Sequence, residues 1–382
     1  MLHRRKFLSL AGGTAGILLV SPRMAFASVA TDRRFVFIIQ RGAADGLNTV
    51  IPYCDPDYAK LRGQIAIDLA GAAKLDGMFA LHPSLVQGAS MYKAGQALFV
   101  HAAASPYRDR SHFDGQNVLE SGGSGPYQVK DGWLNRLAGL LPRTSDVAVA
   151  FAPTVPLALR GPVSVGSYAP SALPQANDDL LARVGQLYGE DQQLHPLWTA
   201  AMEARGLAGE NGPQQDPASL GKLAATFLGQ PAGPRIAMIE TGGWDTHSAQ
   251  TARLARQLSG LDAMLGALRD GLGAAWSKTT VLVATEFGRT AAVNGTGGTD
   301  HGTGSAAMLL GGAVKGGRVI ADWPGLSHTA LYEQRDLKPT VELDALFASA
   351  AAEALGLDPE LVLRTVFPGQ KAARLLTGLA RV

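Results

Sequence analysis

Phe35-Val-Phe-Ile-Ile39, running into Gln40-Arg41-Gly42-Ala43-Ala44-Asp45-Gly46, is a short continuous apolar run that stops at a polar, glycine-bearing turn. β-Branched and aromatic residues without polar alternation predict a strand covered on both faces, as in a parallel sheet with helices on either side. The pattern recurs at Ala97–Val100, which ends at His101, and at Val147–Phe151. It returns at Arg235–Ile239, which runs into Glu240-Thr-Gly-Gly-Trp-Asp245, at Thr280–Ala284, which runs into Thr285-Glu286, and at Ala306–Leu310.

Helical periodicity lies between these runs. Leu254, Leu258, Leu261, Leu265, Leu268 and Leu272 recur at threes and fours and predict one buried helix face over Thr251–Leu272. Leu343, Leu346, Phe347, Ala350 and Leu355 predict a C-terminal helix stopped by Gly356. Strands alternating with helices predict a doubly wound, mostly parallel α/β sheet with helices on both faces. The Ala/Leu-rich stretch from about 173 to 230 departs from this rhythm and is expected to be a helical insertion or lid, with an exposed loop over Asn211–Pro217.

The N-terminus has another purpose. His3-Arg4-Arg5-Lys6-Phe7-Leu8 is a charged region, Leu8–Val20 is apolar and glycine-rich, and Ala25-Phe26-Ala27 offers small residues to a signal peptidase. Paired arginines before Phe-Leu resemble the twin-arginine signal, so residues 1–27 are expected to be removed and residues 28–382 to form the α/β domain. Export as a folded domain by the twin-arginine translocase would place it in the periplasm or outside the cell. The signal carries four cations and no acid, so a net charge of +2 for the whole chain falls to near −2 after its removal. A basic patch for nucleic acid is not expected, and no later stretch is long and apolar enough to span a membrane. Cys54 is the only cysteine, which excludes an internal disulfide, and it is expected to be buried and inert.

In an open α/β sheet, ligands bind beyond the carboxyl ends of the strands. Asp45 and Asn48 follow the first strand. His101, Ser105, Arg108, Arg110, Ser111, His112 and Asp114 follow the second. Asp245 and His247 follow the fourth, while Glu286, Arg289, Asp300 and His301 come after the fifth. Carboxylates and imidazoles held by rigid elements suit a divalent metal. Two glycine-flanked acid–imidazole motifs strengthen this expectation: Gly242-Gly-Trp-Asp245-Thr-His247 and Gly297-Gly-Thr-Asp300-His301. An Asp–x–His can equally be a turn with a surface imidazole, and Asp45 a plain turn former. Ser111 is as readily a helix N-cap as a nucleophile, and Arg289 as readily an ion-pair partner of Glu286.

Gly42–Tyr53, Leu81-His-Pro83, Arg110-Ser-His-Phe113, Gly242–His247, Thr285-Glu-Phe-Gly-Arg-Thr290 and Asp300-His301-Gly resemble the bacterial domain-of-unknown-function family numbered 1501. The resemblance covers nearly the whole mature chain. It implies an alkaline-phosphatase-like fold, in the superfamily of phosphatases, sulfatases and cofactor-independent phosphoglycerate mutases, together with twin-arginine export. Laid on that superfamily's pattern, Asp45 matches the Asp after the first strand, and Ser111 the nucleophile, opening a helix from His112 to Glu120. Asp245 and His247 resemble one metal half-site, although the superfamily spacing is wider by two. His301 matches a late histidine. Glu286-Phe287 stands where an Asp–His pair is usual, and Phe binds no metal, which leaves the second ion short of a ligand.

The resulting expectation is an exported metal-dependent hydrolase of phosphate or sulfate esters, with its particular ester substrate open. It would hold one or two divalent ions (zinc, manganese, magnesium or calcium) through Asp45, Asn48, Asp245, His247, Glu286, Asp300 and His301. Ser111 would be the nucleophile, His112 its base, and Arg289 or Arg110 the oxyanion binder. The alternative is a non-catalytic exported binding or assembly factor on a degraded phosphatase-like fold, with an exported partner protein implied by the family's genomic pairing. A serine hydrolase is disfavoured because no Gly-x-Ser-x-Gly elbow is present.

Overall fold

A computed structural model of the chain describes residues 31–142, 147–169, 178–196, 198–199, 201–202, 216–369 and 374–381. The expected export signal and most of the loop expected at Asn211–Pro217 lie outside them. The fold is α/β, built on one nine-stranded sheet. Its strands are β1 (Arg34–Gln40), β2 (Ala97–Ala104), β3 (Ala148–Phe151), β4 (Gly166–Ser167), β5 (Ile236–Thr241), β6 (Thr279–Ala284), β7 (Ser305–Leu310), β8 (Arg318–Ile320) and β9 (Val341–Glu342). They lie in the order β8-β2-β7-β6-β1-β5-β3-β4, with β9 pairing the far end of β2. β1 sits between β5 and β6, parallel to both. β7 runs antiparallel to its neighbours β6 and β2, the one reversal in an otherwise parallel sheet.

Every residue of β1 is buried, as its unbroken apolar run requires. Alternation along the strand divides it between two cores. Phe35, Phe37 and Ile39 face one core, where Trp133 packs edge-on to Phe37 at 5.3 Å and tilted on Phe347 at 5.2 Å. Val36 and Ile38 face the other. The expected leucine stripe of the long helix lies wholly in that second core, on a helix spanning Gln250–Leu272. The C-terminal helix Leu343–Leu355 covers the first core and ends where expected, with Gly356 left-handed at φ 70°. Helices on both faces make the sheet doubly wound.

The stretch expected as an insertion divides. Pro217–Gly229 is a helix N-capped by Asp216, and its Ala224, Phe227 and Leu228 are buried in the second core beside the long helix. Asp178–Tyr188 is a separate helix whose Leu187 stands 77% exposed. Cys54 is exposed rather than buried, its Sγ 2.9 Å from the Gly77 carbonyl. Among the described residues, no helix is long and apolar enough to cross a membrane.

Candidate functional site

The carboxyl ends of β1, β5 and β6 open on one side of the sheet, and the reversed β7 brings its preceding loop to that same side. Asp245 and His247 arrive from the loop after β5. Glu286 and Arg289 follow β6, while Asp300 and His301 precede β7. His112 opens the helix His112–Ser121. Two glycines permit this convergence. A Cβ on Gly42, whose φ is +117°, would lie 2.7 Å from the Asp245 nitrogen, and one on Gly298 would lie 2.3 Å from the His247 carbonyl carbon.

Four of the sequence-derived residues meet. His247 Nε2 lies 3.0 Å from Asp245 Oδ1 and 3.0 Å from His301 Nε2. His301 Nε2 is 3.3 Å from Asp245 Oδ1, and His112 Nε2 is 3.5 Å from Asp245 Oδ2. Ligand atoms around a tetrahedral ion at about 2.0–2.1 Å would be about 3.3–3.4 Å apart, and those of His112, Asp245 and His301 all lie within 4.8 Å of one another, with His247 beside them.

The other nitrogen of each imidazole is already committed. His112 Nδ1 is 2.8 Å from Glu286 Oε1, His247 Nδ1 is 3.2 Å from Asp300 Oδ1, and His301 Nδ1 is 2.9 Å from the Arg110 carbonyl. Each of those partners accepts, so each Nδ1 carries a proton and Nε2 is the nitrogen turned to the cage. His112 Nε2 is buried with no hydrogen-bond partner. Bare lone pairs and a carboxylate facing one another repel unless a cation lies between them, and ring N–H groups held by carboxylates or carbonyls are the usual outer shell of metal-bound histidine. Arg110 adopts a left-handed φ of 61°, a conformation non-glycine residues rarely adopt, in the strained turn that presents its carbonyl to His301.

The electrostatics follow from these contacts. The hydrogen bond to Glu286 raises the His112 pKa above its ordinary value, against the effect of burial. Burial, with His112 nearby, lowers that of His301. Burial would raise the Asp245 pKa, but the Arg289 guanidinium prevails and holds it below the usual range. Burial works the same way on Glu286, and the bonds from His112 and Gln116 keep it ionised.

The remaining expected residues take other places. Asp45 is 1% exposed and paired through both oxygens with the fully buried Arg62, so its carboxylate faces a guanidinium and not the cage. Asn48 donates to the Ile65 carbonyl at 2.7 Å and accepts from Tyr58 at 3.0 Å, which uses its amide. Glu286 and Asp300 stand one bond behind the cage, holding His112 and His247. Arg289 pairs with Asp245 at 2.6 Å, not with Glu286, and also donates to Thr299. Arg110 is held by Asp336 and Glu333. Neither arginine is therefore a free oxyanion binder. With one nitrogen on Glu286 and the other facing Asp245, His112 has none left to serve Ser111 as a base. Ser111 is the N-cap residue, but its side chain makes no capping bond.

Sequence reasoning missed Arg62 and Gln250, the two side chains that hold Asp45. A basic residue late in a short helical segment, as Arg62 is, carries no signal of a partner 17 positions away. His101, counted among the strand-end residues, lies inside β2, fully buried, with Nε2–H donating to the Val50 carbonyl at 2.8 Å. Phe287 is buried and stacks on the His112 ring at 5.1 Å, forming a wall of the cage.

Solved structures similar to this chain include the C-terminal periplasmic domain of EcEptC from Escherichia coli in complex with zinc. That pair is 9% identical, with 91% of each chain covered and a TM-score of 0.43. The Streptococcus pyogenes phosphoglycerol transferase GacH in complex with sn-glycerol-1-phosphate is also 9% identical, over 97% of this chain and 85% of that one, with a TM-score of 0.42. The phosphonate monoester hydrolase of Agrobacterium radiobacter is 11% identical over 90% and 79%, with a TM-score of 0.32. None of the curated proteins matches at a significant level. Residues 32–367 match the family described as Protein of unknown function (DUF1501), and the chain belongs to that family.

Proposed function

We propose that this protein is an exported metal-dependent hydrolase of phosphate or sulfate esters, working at the strand ends around Asp245. One observation carries the reading: His112, Asp245 and His301 offer ligand atoms that all lie within 4.8 Å of one another, with His247 Nε2 3.0 Å from Asp245. Three imidazoles with one carboxylate suit zinc or manganese, whereas magnesium and calcium prefer all-oxygen cages. A divalent ion at such a cage supplies Lewis acidity for an ester oxyanion and lowers the pKa of water.

The chain's own residues do the rest. Arg289 fixes Asp245, while Glu286, Asp300 and the Arg110 carbonyl fix the three ring orientations. Phe287 excludes water from the back of His112. The first N–H groups of the helix His112–Ser121, left uncapped by the Ser111 side chain, would favour an anionic substrate. Water, deprotonated on such an ion, would be the nucleophile, with Ser111 as the alternative if coordination to the ion helped its hydroxyl lose the proton.

The test is hydrolysis of phosphomonoester, phosphodiester and sulfate-ester probes by mature protein purified from the periplasm, before and after chelation. Turnover lost on chelation and restored by zinc or manganese is expected. Metal bound tightly without turnover of any probe would shift the reading to an exported assembly factor. Phe113, 84% exposed beside His112, favours that second reading because a bare aromatic suits a protein contact.

A further inference from the structure

We propose that the centre takes one divalent cation per chain, of the imidazole-preferring class that includes zinc, and that Arg62 serves as the permanent cation at Asp45. The inference rests on the metal reading above and fixes its stoichiometry.

An ionised carboxylate offers about four lone-pair positions. All four of Asp45 are used inside the protein. Oδ1 accepts from Arg62 Nη2 at 3.1 Å and from the Asn48 backbone N–H at 3.2 Å. Oδ2 accepts from Arg62 Nη1 and Gln250 Nε2. Glu286 is filled on one oxygen. Oε1 accepts from Gly42 N–H at 2.8 Å, His112 Nδ1 at 2.8 Å and Gln116 Nε2 at 3.1 Å, and Oε2 accepts from Thr285 Oγ1 at 2.9 Å. Asp45 therefore retains no free lone pair for a second ion. Asp245 differs: Arg289 occupies Oδ1, while Oδ2 faces the bare His112 Nε2.

Charge gives the same count. The charged side chains bonded to the side chains of the four cage residues are Glu286, Asp300 and Arg289, while Arg335 reaches only the His301 carbonyl. With Asp245 and neutral imidazoles they sum to −2, which one divalent ion neutralises. Asp45 and Arg62 cancel each other, both essentially unexposed. A second divalent ion would have to displace a buried guanidinium that has no route to water, leaving it unpaired.

Elemental analysis of the purified mature protein should give one equivalent of metal per chain, and anomalous diffraction should give one peak, within reach of His112, Asp245, His247 and His301. Asp45→Asn should keep that equivalent, whereas Asp245→Asn should lose it. Two equivalents, or a second peak beside Asp45, would overturn the inference and leave the metallohydrolase reading standing. No metal at all would overturn both. If Asp45→Asn does not fold, the number of anomalous peaks in the unaltered protein decides by itself.

Discussion

Asp45 and Asp245 follow neighbouring strands, β1 and β5, yet the fold uses them in opposite ways. Asp45 is 1% exposed and closed off by Arg62, Gln250 and a backbone N–H. The Asp245 side chain is 42% exposed, with one oxygen on Arg289 and the other facing a bare imidazole nitrogen. A carboxylate whose lone pairs are all filled by internal donors belongs to the fold. One with vacant positions among protonless imidazoles is available to a cation. Both residues are strand-end aspartates in glycine-rich turns, so residue type and position cannot separate them; hydrogen-bond accounting does.

Substitution on the open side should give the largest functional effect. Asp245→Ala is expected to reduce bound metal to background while the far-ultraviolet circular dichroism stays unchanged. Retention of a full equivalent would remove Asp245 from the cage.

The closed side should respond in stability instead. Arg62→Met strands the Asp45 charge in the interior, at a cost of about 3–5 kcal/mol by denaturant titration. The double variant Arg62→Met with Asp45→Leu should recover much of that loss. If the single variant were neutral, Asp45 would have another route to compensation.

A pH titration distinguishes the sheet interior from the cage. Burial pushes the His101 pKa down from 6.5 to about 4. Below pH 6.5 the unfolded chain therefore binds a proton that the folded chain refuses, so stability falls as pH drops from about 6.5 to 4 and then levels, by on the order of 3 kcal/mol. His112 moves the other way in metal-free protein. Its raised pKa adds stability below pH 6.5 that is lost as pH rises through the folded value. Metal must displace that proton, so affinity should weaken as pH falls. His101→Gln, measured by thermal melts across this range, should flatten the acid limb without changing metal content.

Smaller effects belong to the groups behind the cage. Glu286→Gln and Asp300→Asn should each weaken metal binding by about 10–100-fold, as the loss of outer-shell partners typically does. Asp300 is the more exposed and should lie at the low end. Isothermal titration with zinc would detect either change, and an unchanged affinity for Glu286→Gln would mean that His112 is not a ligand.

Much was legible in the chain. The uninterrupted run at Phe35–Ile39 and the leucine spacing over Thr251–Leu272 specified a covered parallel strand and a one-faced helix, because burial and backbone period act locally. The motifs around Asp245, His247 and His301 are brought together at one corner of the sheet. A ligand and a base are the same imidazole until both its nitrogens have partners, so the chain alone does not separate the two roles for His112. The stretch Pro217–Gly229 was taken for part of an insertion although it packs in the core; its Ala and Leu content does not say which surface it covers.

The sequence by itself determined the alternation of strands and helices, the polar strand ends, the family and the supply of carboxylates and imidazoles. The tertiary structure decided which acid is neutralised and which stays open. Arg62 reaches Asp45 only because the chain folds back beneath the first turn. His301 enters the cage only because β7 runs against its neighbours, which returns the residues before it to the edge where the parallel strands end. A lone pair is filled by whatever donor lies within 3 Å or so, and proximity between residues far apart in the chain exists only once the sheet has closed.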